Sequence, residues 1–247
     1  MDELYTIMYM SRKVCLNLSK FLAKEGGYKM SWNKIDLPVE QIYGKFDLGF
    51  MPIFNKAIKV FKDCGYKRIL DLGCGYGKHS IYLSQNDFNV TSIDINKQAI
   101  EWLEKYIDAN HVSNINVIKA DINDLPFEND YFDGIICSSV IHHQGLKEIK
   151  NSISEMYRVL KTNGYISVNF MSIEDDSFGL GKEIEKNTFV GSREGEENIP
   201  HYYTDIDELK ELFKGFRKIE IFKNEYRFSI DSINTIRSRM LDVVGYK

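Results

Sequence analysis

Three glycines spaced two apart, Gly73, Gly75 and Gly77, stand between an apolar run and a helical pattern in RILDLGCGYGKH, residues 68–79. Glycine accepts positive φ and lets a ligand approach the backbone closely. The spacing therefore predicts a nucleotide-like ligand nested against main-chain amides; the plainer alternative is a tight strand-to-helix turn without a ligand. Asp94 closes a second apolar run, 23 positions after Asp71. A carboxylate there can accept from both hydroxyls of a ribose, or serve as a helix cap. Asp121 closes a third run and is followed by Ile122. That pair can accept from an adenine amino group and cover the ring face.

Other side chains could act on a substrate. His142 and His143 follow a fourth apolar run, where they either meet substrate or shape a loop. His201, Tyr202 and Tyr203 end a polar stretch, where tyrosine faces favour a partial positive charge or pack among themselves. Glu183 and Glu185 read as a solvated face. Lys78 and His79 open a helix, where the dipole disfavours cations, which hints at a nearby carboxylate such as the cofactor's own; the plainer alternative is a surface lysine. Cys15, Cys64, Cys74 and Cys137 lie far apart, and no histidine cluster has zinc spacing, so no metal site is expected.

The elements that must position these residues follow from periodicity. Helices are expected at 52–63, 78–86, 96–109, 146–160 and 205–214, with Asn96 and either Thr204 or Asp205 as caps. Near-continuous apolar strands are expected at 67–72, 89–94, 115–120, 132–139 and 164–170. Strand–helix alternation of this kind argues for a parallel sheet covered on both faces. Residues 171–204 break the rhythm and read as an inserted lid. Two further strands, 216–222 and 239–247, have no helix between them and are expected to pair antiparallel. Before the sheet, a helix is expected around Val14–Lys24, and Tyr43 and Phe46 are expected to fold over the cofactor site. The division is thus 1–50, an N-terminal helical cover, and 51–247, the main domain with its lid at 171–204.

Bulk properties bound the function. The chain has 247 residues, 43% of them hydrophobic, which suits one large domain. A net charge of −4 gives no broad attraction to nucleic acid or anionic lipid. No apolar run is long enough to span a bilayer, and no signal core opens the chain, so a cytoplasmic protein is expected.

A dinucleotide fingerprint would place its third small residue at Lys78, which fits poorly where helix and strand must press together. From about Gly44 to Lys247 the chain instead resembles the class I S-adenosylmethionine-dependent methyltransferases. The resemblance is carried by DLGCGYG (71–77), Asp94, Asp121-Ile122, YFDGIICSSVIHH (131–143) and EMYRVLKTNGYISVNF (155–170). Residues 77–96 also look like small-molecule methyltransferases of the tellurite-resistance type. The resemblance implies a Rossmann-like three-layer α/β sandwich with seven strands in order 3-2-1-4-5-7-6, strand 7 antiparallel. It implies S-adenosyl-L-methionine as cofactor, its methionyl part over Gly73, Cys74, Gly75 and Gly77, its ribose on Asp94 beside Ile95, and its adenine on Asp121 and Ile122. Cys137 and Ser138 would line the cavity beside the sulfonium, and Asp71 would organise the glycine loop. His142, His143 and Tyr203 are the candidates for catalysis. Asn163 stands where the family often has glycine, and asparagine tolerates a left-handed backbone.

The expected function is methyl transfer to a small-molecule acceptor. The alternatives are an RNA methyltransferase and a non-catalytic cofactor-binding module. The fourth strand ends in Cys-Ser-Ser-Val, without the Asn-Pro-Pro-Tyr of adenine-amino methylation, and no Pro-Cys precedes a cytosine-attacking thiol. With the acidic balance, this argues against a nucleic-acid partner. The intact glycines and acidic positions argue against a degenerate module.

Overall fold

The computed structural model describes residues 29–30, 37–38, 51–193, 196–229 and 235–247. The helix expected around Val14–Lys24, the covering residues Tyr43 and Phe46, and all of the 1–50 cover except two short paired strands lie outside the described residues.

Helix α1 (Pro52–Asp63) opens on Pro52, whose missing N–H costs nothing in a first turn. It buries Ile53, Phe54, Ala57, Ile58 and Phe61 along one face. Then follow β1 (Arg68–Leu72), α2 (Lys78–Ser84), β2 (Asn89–Asp94), α3 (Lys97–Asn110), β3 (Ile115–Lys119), β4 (Phe132–Cys137), α4 (Leu146–Val159) and β5 (Leu160–Ser172). Asn96 caps α3 as expected, its side chain accepting from Gln98 N at 2.9 Å and Ala99 N at 3.3 Å. Asn163 does adopt a left-handed φ of 64°.

The parallel order β3-β2-β1-β4-β5 is set by registers such as Ile93↔Ile118, Ile69↔Val90, Ile69↔Gly134 and Ile135↔Ile166. The closing strands are β9 (Lys218–Ser229) and β10 (Thr235–Tyr246). β10 runs antiparallel to β5, with Val243 opposite Val168, and β9 runs antiparallel to β10. The main order is therefore the expected 3-2-1-4-5-7-6 with its seventh strand reversed, counting β9 and β10 as strands six and seven.

Alternation along β1 shows why the sheet is covered twice. Ile69 packs with α1, α2 and α3, whereas Leu70 and Leu72 pack with α4 and α5 (Ile206–Leu212). Successive side chains of a strand point to opposite faces, so a continuous apolar run requires helices on both. Asp205 caps α5 by accepting from Glu208 N at 2.9 Å.

Residues 171–204 are more regular than the sequence implies. They form β6 (Lys182–Glu185), β7 (Thr188–Val190) and β8 (Pro200–Thr204), an antiparallel ladder. β6 is exposed throughout, and β7 and β8 are too short to show a period of two. β8 pairs parallel with the end of β5, Tyr203 opposite Met171. β4 leaves β5 at Cys137↔Val168, and β10 occupies the other edge of Met171. The insertion thus continues the sheet where β4 stops, at the carboxyl ends of the parallel strands. Glu185, expected to be merely solvated, accepts from Leu146 N at 2.8 Å and so ties the insertion to the start of α4.

Candidate active site

The turn between β1 and α2 holds Gly73, Gly75 and Gly77 at φ values of 73°, 52° and 80°. The positions have different reasons to be glycine. A Cβ on Gly77 would lie 2.4 Å from Leu103 Cδ1, so that glycine serves helix packing. A Cβ on Gly75 would meet nothing within 4 Å, so that glycine presents bare backbone to open space. The amides of the turn are used internally. Gly73 N and Cys74 N both donate to the Ile93 carbonyl at 2.8 Å, and Gly77 N donates to the Cys74 carbonyl at 2.9 Å. The turn therefore offers a ligand a surface free of side chains more than a nest of donors, a correction to the amide-nest expectation.

Gly75 N donates to Asp94 Oδ2 at 2.8 Å, and Asn96 N donates to Asp94 Oδ1 at 2.8 Å. These bonds, with the Ile95 amide beside them, lock the carboxylate at the end of β2. Burial raises the pKa of Asp94. The next residue, Ile95, is 60% exposed, a large apolar side chain left open beside that carboxylate. Ala120 N donates to the Asp94 carbonyl at 3.2 Å, which brings the end of β3 alongside. There Asp121 is exposed and accepts from Asn123 N at 2.9 Å, with Ile122 half-buried behind it.

Asp71 lies beneath the turn and is fully buried. Its Oδ2 accepts from Ser80 Oγ at 2.5 Å, and Ser80 Oγ accepts in turn from Ser92 Oγ at 2.7 Å. Burial first, and the charge of Asp94 to a lesser degree, push Asp71 from 3.8 up to about 7. Lys78 is buried. His79 packs against Phe54 with tilted rings, their centroids 4.4 Å apart, and burial pulls its pKa down to about 3. It is therefore a neutral packing residue and not the cation expected at a helix start.

Beyond β4, Cys137 packs its thiol into the core on the α4 side with Leu72, Ile93 and Ile149. Ser138 is half-buried, its Oγ 3.8 Å from Met51 Sδ. Ser139 takes φ 57°, held by its N–H donating to Asn169 Oδ1 at 2.6 Å. His142 is buried and hydrogen-bonded to the backbone of Asn169, while its Nδ1 has no hydrogen-bond partner among the described residues. Burial, then the neighbouring His143, His201 and Arg193, hold its pKa well below the usual value. Burial likewise takes His143 down to about 4. Both imidazoles are neutral at pH 7. Tyr203 is placed differently from a substrate-facing tyrosine: it is fully buried, its hydroxyl 2.8 Å from Ser177 Oγ and 3.0 Å from Ser192 Oγ. His201 lies beside His143 and pairs with Glu196.

The structure thus gathers Gly75, Asp94, Ile95, Asp121 and Ile122 at one edge, with the loop carrying Ser138 and His142 beside them. Asn169 and Glu196 escaped the sequence reading, because each acts through partners distant in the chain and neither sits in a local pattern. An open groove lined by Ile153, Tyr157, Leu212 and Phe216 lies between α4 and α5, away from this edge.

A reversed seventh strand, a glycine turn at the first βα junction and a carboxylate ending the second strand define a class I methyltransferase fold. Comparison with known proteins agrees. Residues 69–164 match the family described as "Methyltransferase domain". The chain is 31% identical over 193 residues to the ubiquinone biosynthesis O-methyltransferase of Rickettsia prowazekii, covering 72% of this chain and 73% of that protein. A solved S-adenosylmethionine-dependent methyltransferase from Methanosarcina mazei superposes with a TM-score of 0.62 at 21% identity, covering 80% of this chain and 98% of the other. TehB from Haemophilus influenzae gives 0.59 at 21% identity, covering 78% and 62%. These two structures speak for the fold. The chain belongs to the class I S-adenosylmethionine-dependent methyltransferases, and S-adenosylmethionine is its cofactor. The bare face of Gly75, the locked carboxylate of Asp94 and the open apolar side chain of Ile95 fit an adenosyl group. None of the described helices is long and apolar enough to cross a membrane.

Proposed function

We propose that the protein methylates a hydroxyl oxygen of a small-molecule acceptor, with His142 receiving the proton. The observation that carries this reading is the buried, neutral imidazole of His142, whose Nδ1 lone pair is unpartnered among the described residues beside the end of β4. Asp94 holds the ribose hydroxyls of the cofactor, Ile95, Asp121 and Ile122 hold the adenine, and Gly75 leaves room for the methionyl part. Asp71 keeps the turn in place through Ser80. The bound cofactor supplies an electrophilic methyl carbon on a sulfonium.

A hydroxyl nucleophile must lose its proton as the new bond forms, and a positioned imidazole serves that step. The hydrogen bond between His142 and the Asn169 backbone orients the ring, which leaves the other nitrogen to accept. Holding the acceptor at near-attack distance and excluding water supply the remaining acceleration. The insertion 171–204, set across the carboxyl end of β4, supports a small acceptor over a polymer. So does the O-methyltransferase name of the Rickettsia relative. Cys64, Cys74 and Cys137 stand as free thiols, which supports a cytoplasmic place for the protein.

The test is methyl transfer from labelled S-adenosylmethionine to a panel of phenols, carboxylic acids, thiols and RNA. Turnover with hydroxylated small molecules, reduced at least about 100-fold in His142→Gln, is expected. Activity on RNA or thiols alone, or an unaffected variant, overturns the assignment.

A further inference from the structure

Three chemistry-bearing side chains meet outside the glycine turn. His143 comes from the loop after β4, and Glu196 and His201 come from the insertion. Their ligating atoms all lie within 4.8 Å of one another. His201 is fully buried, and its Nδ1 sits 3.1 Å from the Ile199 carbonyl. A carbonyl only accepts, so Nδ1 carries the proton and Nε2 holds the electron pair. Nε2 is 2.8 Å from Glu196 Oε2. A lone pair and a carboxylate cannot face each other at that distance without a positive species between them. That species is either a second proton or a metal ion.

We propose that His143, Glu196 and His201 bind one divalent transition-metal ion of the zinc class. Two imidazoles and one carboxylate suit zinc, cobalt or nickel, whereas magnesium and calcium prefer sets made of oxygen alone. A backbone carbonyl on the far nitrogen is the arrangement that fixes tautomer and direction in ligating histidines. Arg193 Nε, 3.5 Å from Glu196 Oε2, orients the carboxylate, and Asp175, 3.6 Å from Arg193, offsets the guanidinium charge. Ligand bonds of about 2.1 Å place tetrahedral donor atoms about 3.4 Å apart, so the His201–Glu196 pair, 2.8 Å apart, opens by roughly 0.6 Å and separations of up to 4.8 Å close by up to roughly 1.4 Å around the ion. The ion takes the place that a second proton would hold on His201 Nε2. Three protein ligands leave a fourth position open to water or an oxygen ligand. Such an ion clasps the loop after β4 to the insertion, beside the Tyr202 N to His142 carbonyl bond of 2.8 Å that already joins them.

The test uses the full chain after chelator treatment, titrated with Co²⁺ and with Zn²⁺ alone. The expected result is one equivalent of Co²⁺ with visible d–d absorption, displaced by Zn²⁺, and a higher thermal midpoint with Zn²⁺. Glu196→Gln and His143→Ala should each weaken Co²⁺ binding at least about 100-fold. Both should still give heat with S-adenosylmethionine, which shows an intact fold. Absence of visible bands, or equal Co²⁺ binding by wild type and both variants, overturns the site. So does an NMR spectrum in which both ring nitrogens of His201 stay protonated when Zn²⁺ is added, the signature of a plain imidazolium–carboxylate pair. Cofactor binding is read separately, so failure here leaves the methyl-transfer reading standing.

Discussion

Asp71→Asn separates the folding cost of the glycine turn from its use. Burial lifts Asp71 from 3.8 to about 7, against the opposing hydrogen bonds from Ser80. Between those two pH values the folded chain holds a proton that the unfolded chain lacks. Stability therefore falls as pH rises through this window, and the penalty is complete above pH 7. A shift of about 3 units at about 1.36 kcal/mol each gives roughly 4 kcal/mol as an upper figure. The asparagine Oδ1 still accepts from Ser80, and any fixed cost of placing the amide NH2 cancels in the pH dependence. The variant should lack the fall, so its stability relative to wild type should climb by up to about 4 kcal/mol between pH 4 and pH 8. For a chain of this size that corresponds to roughly 8–16 °C in thermal midpoint. The assay is thermal unfolding of both proteins without cofactor across that range, with S-adenosylmethionine affinity measured alongside. Affinity should drop while stability at high pH rises, the trade expected where a site is held in an unfavourable state for function. Parallel stability–pH curves for the two proteins would refute the reasoning.

Other expectations follow from the same geometry. Asp94→Ala removes the acceptor of the Gly75 and Asn96 amides and should lower S-adenosylmethionine affinity at least about 100-fold by isothermal titration, since each charge-assisted bond contributes roughly 1.5–3 kcal/mol. Gly77→Ala drives a Cβ into Leu103 at a positive φ and should cost about 2–5 kcal/mol in denaturant unfolding. Gly75→Ala meets no neighbour; it should cost only about 1–2 kcal/mol of stability but clearly weaken cofactor binding, and equal stability losses at 75 and 77 would contradict their separate roles. Asn169→Leu leaves the Ser139 N–H without its acceptor and should destabilise by about 1–3 kcal/mol, measured by urea unfolding.

Much of this molecule is legible in its sequence. Helix α1, strand β2 and the caps Asn96 and Asp205 follow from local rules, because a helix face, a cap and a turn are each settled within a few residues. The reversed pairing of the last two strands was readable from the missing helix between them. The insertion was not, because β6, β7 and β8 are only four, three and five residues long, too short to set a period. His79 was misread as a cation because its neutral state depends on Phe54, 25 positions away. Tyr203 was read as substrate-facing because Ser177 and Ser192, which engage its hydroxyl, are remote in the chain.

The sequence by itself determined the parallel sheet, the glycine turn and the carboxylates that end its strands, since period, spacing and residue type are local properties. Only the tertiary structure decided which groups are charged and which are joined. Burial sets the protonation of Asp71 and His142, and the parallel pairing of β8 with the end of β5 brings His201 and Glu196 to His143. Desolvation and long-range contact depend on what the rest of the chain packs around a residue, and no short window of sequence contains that.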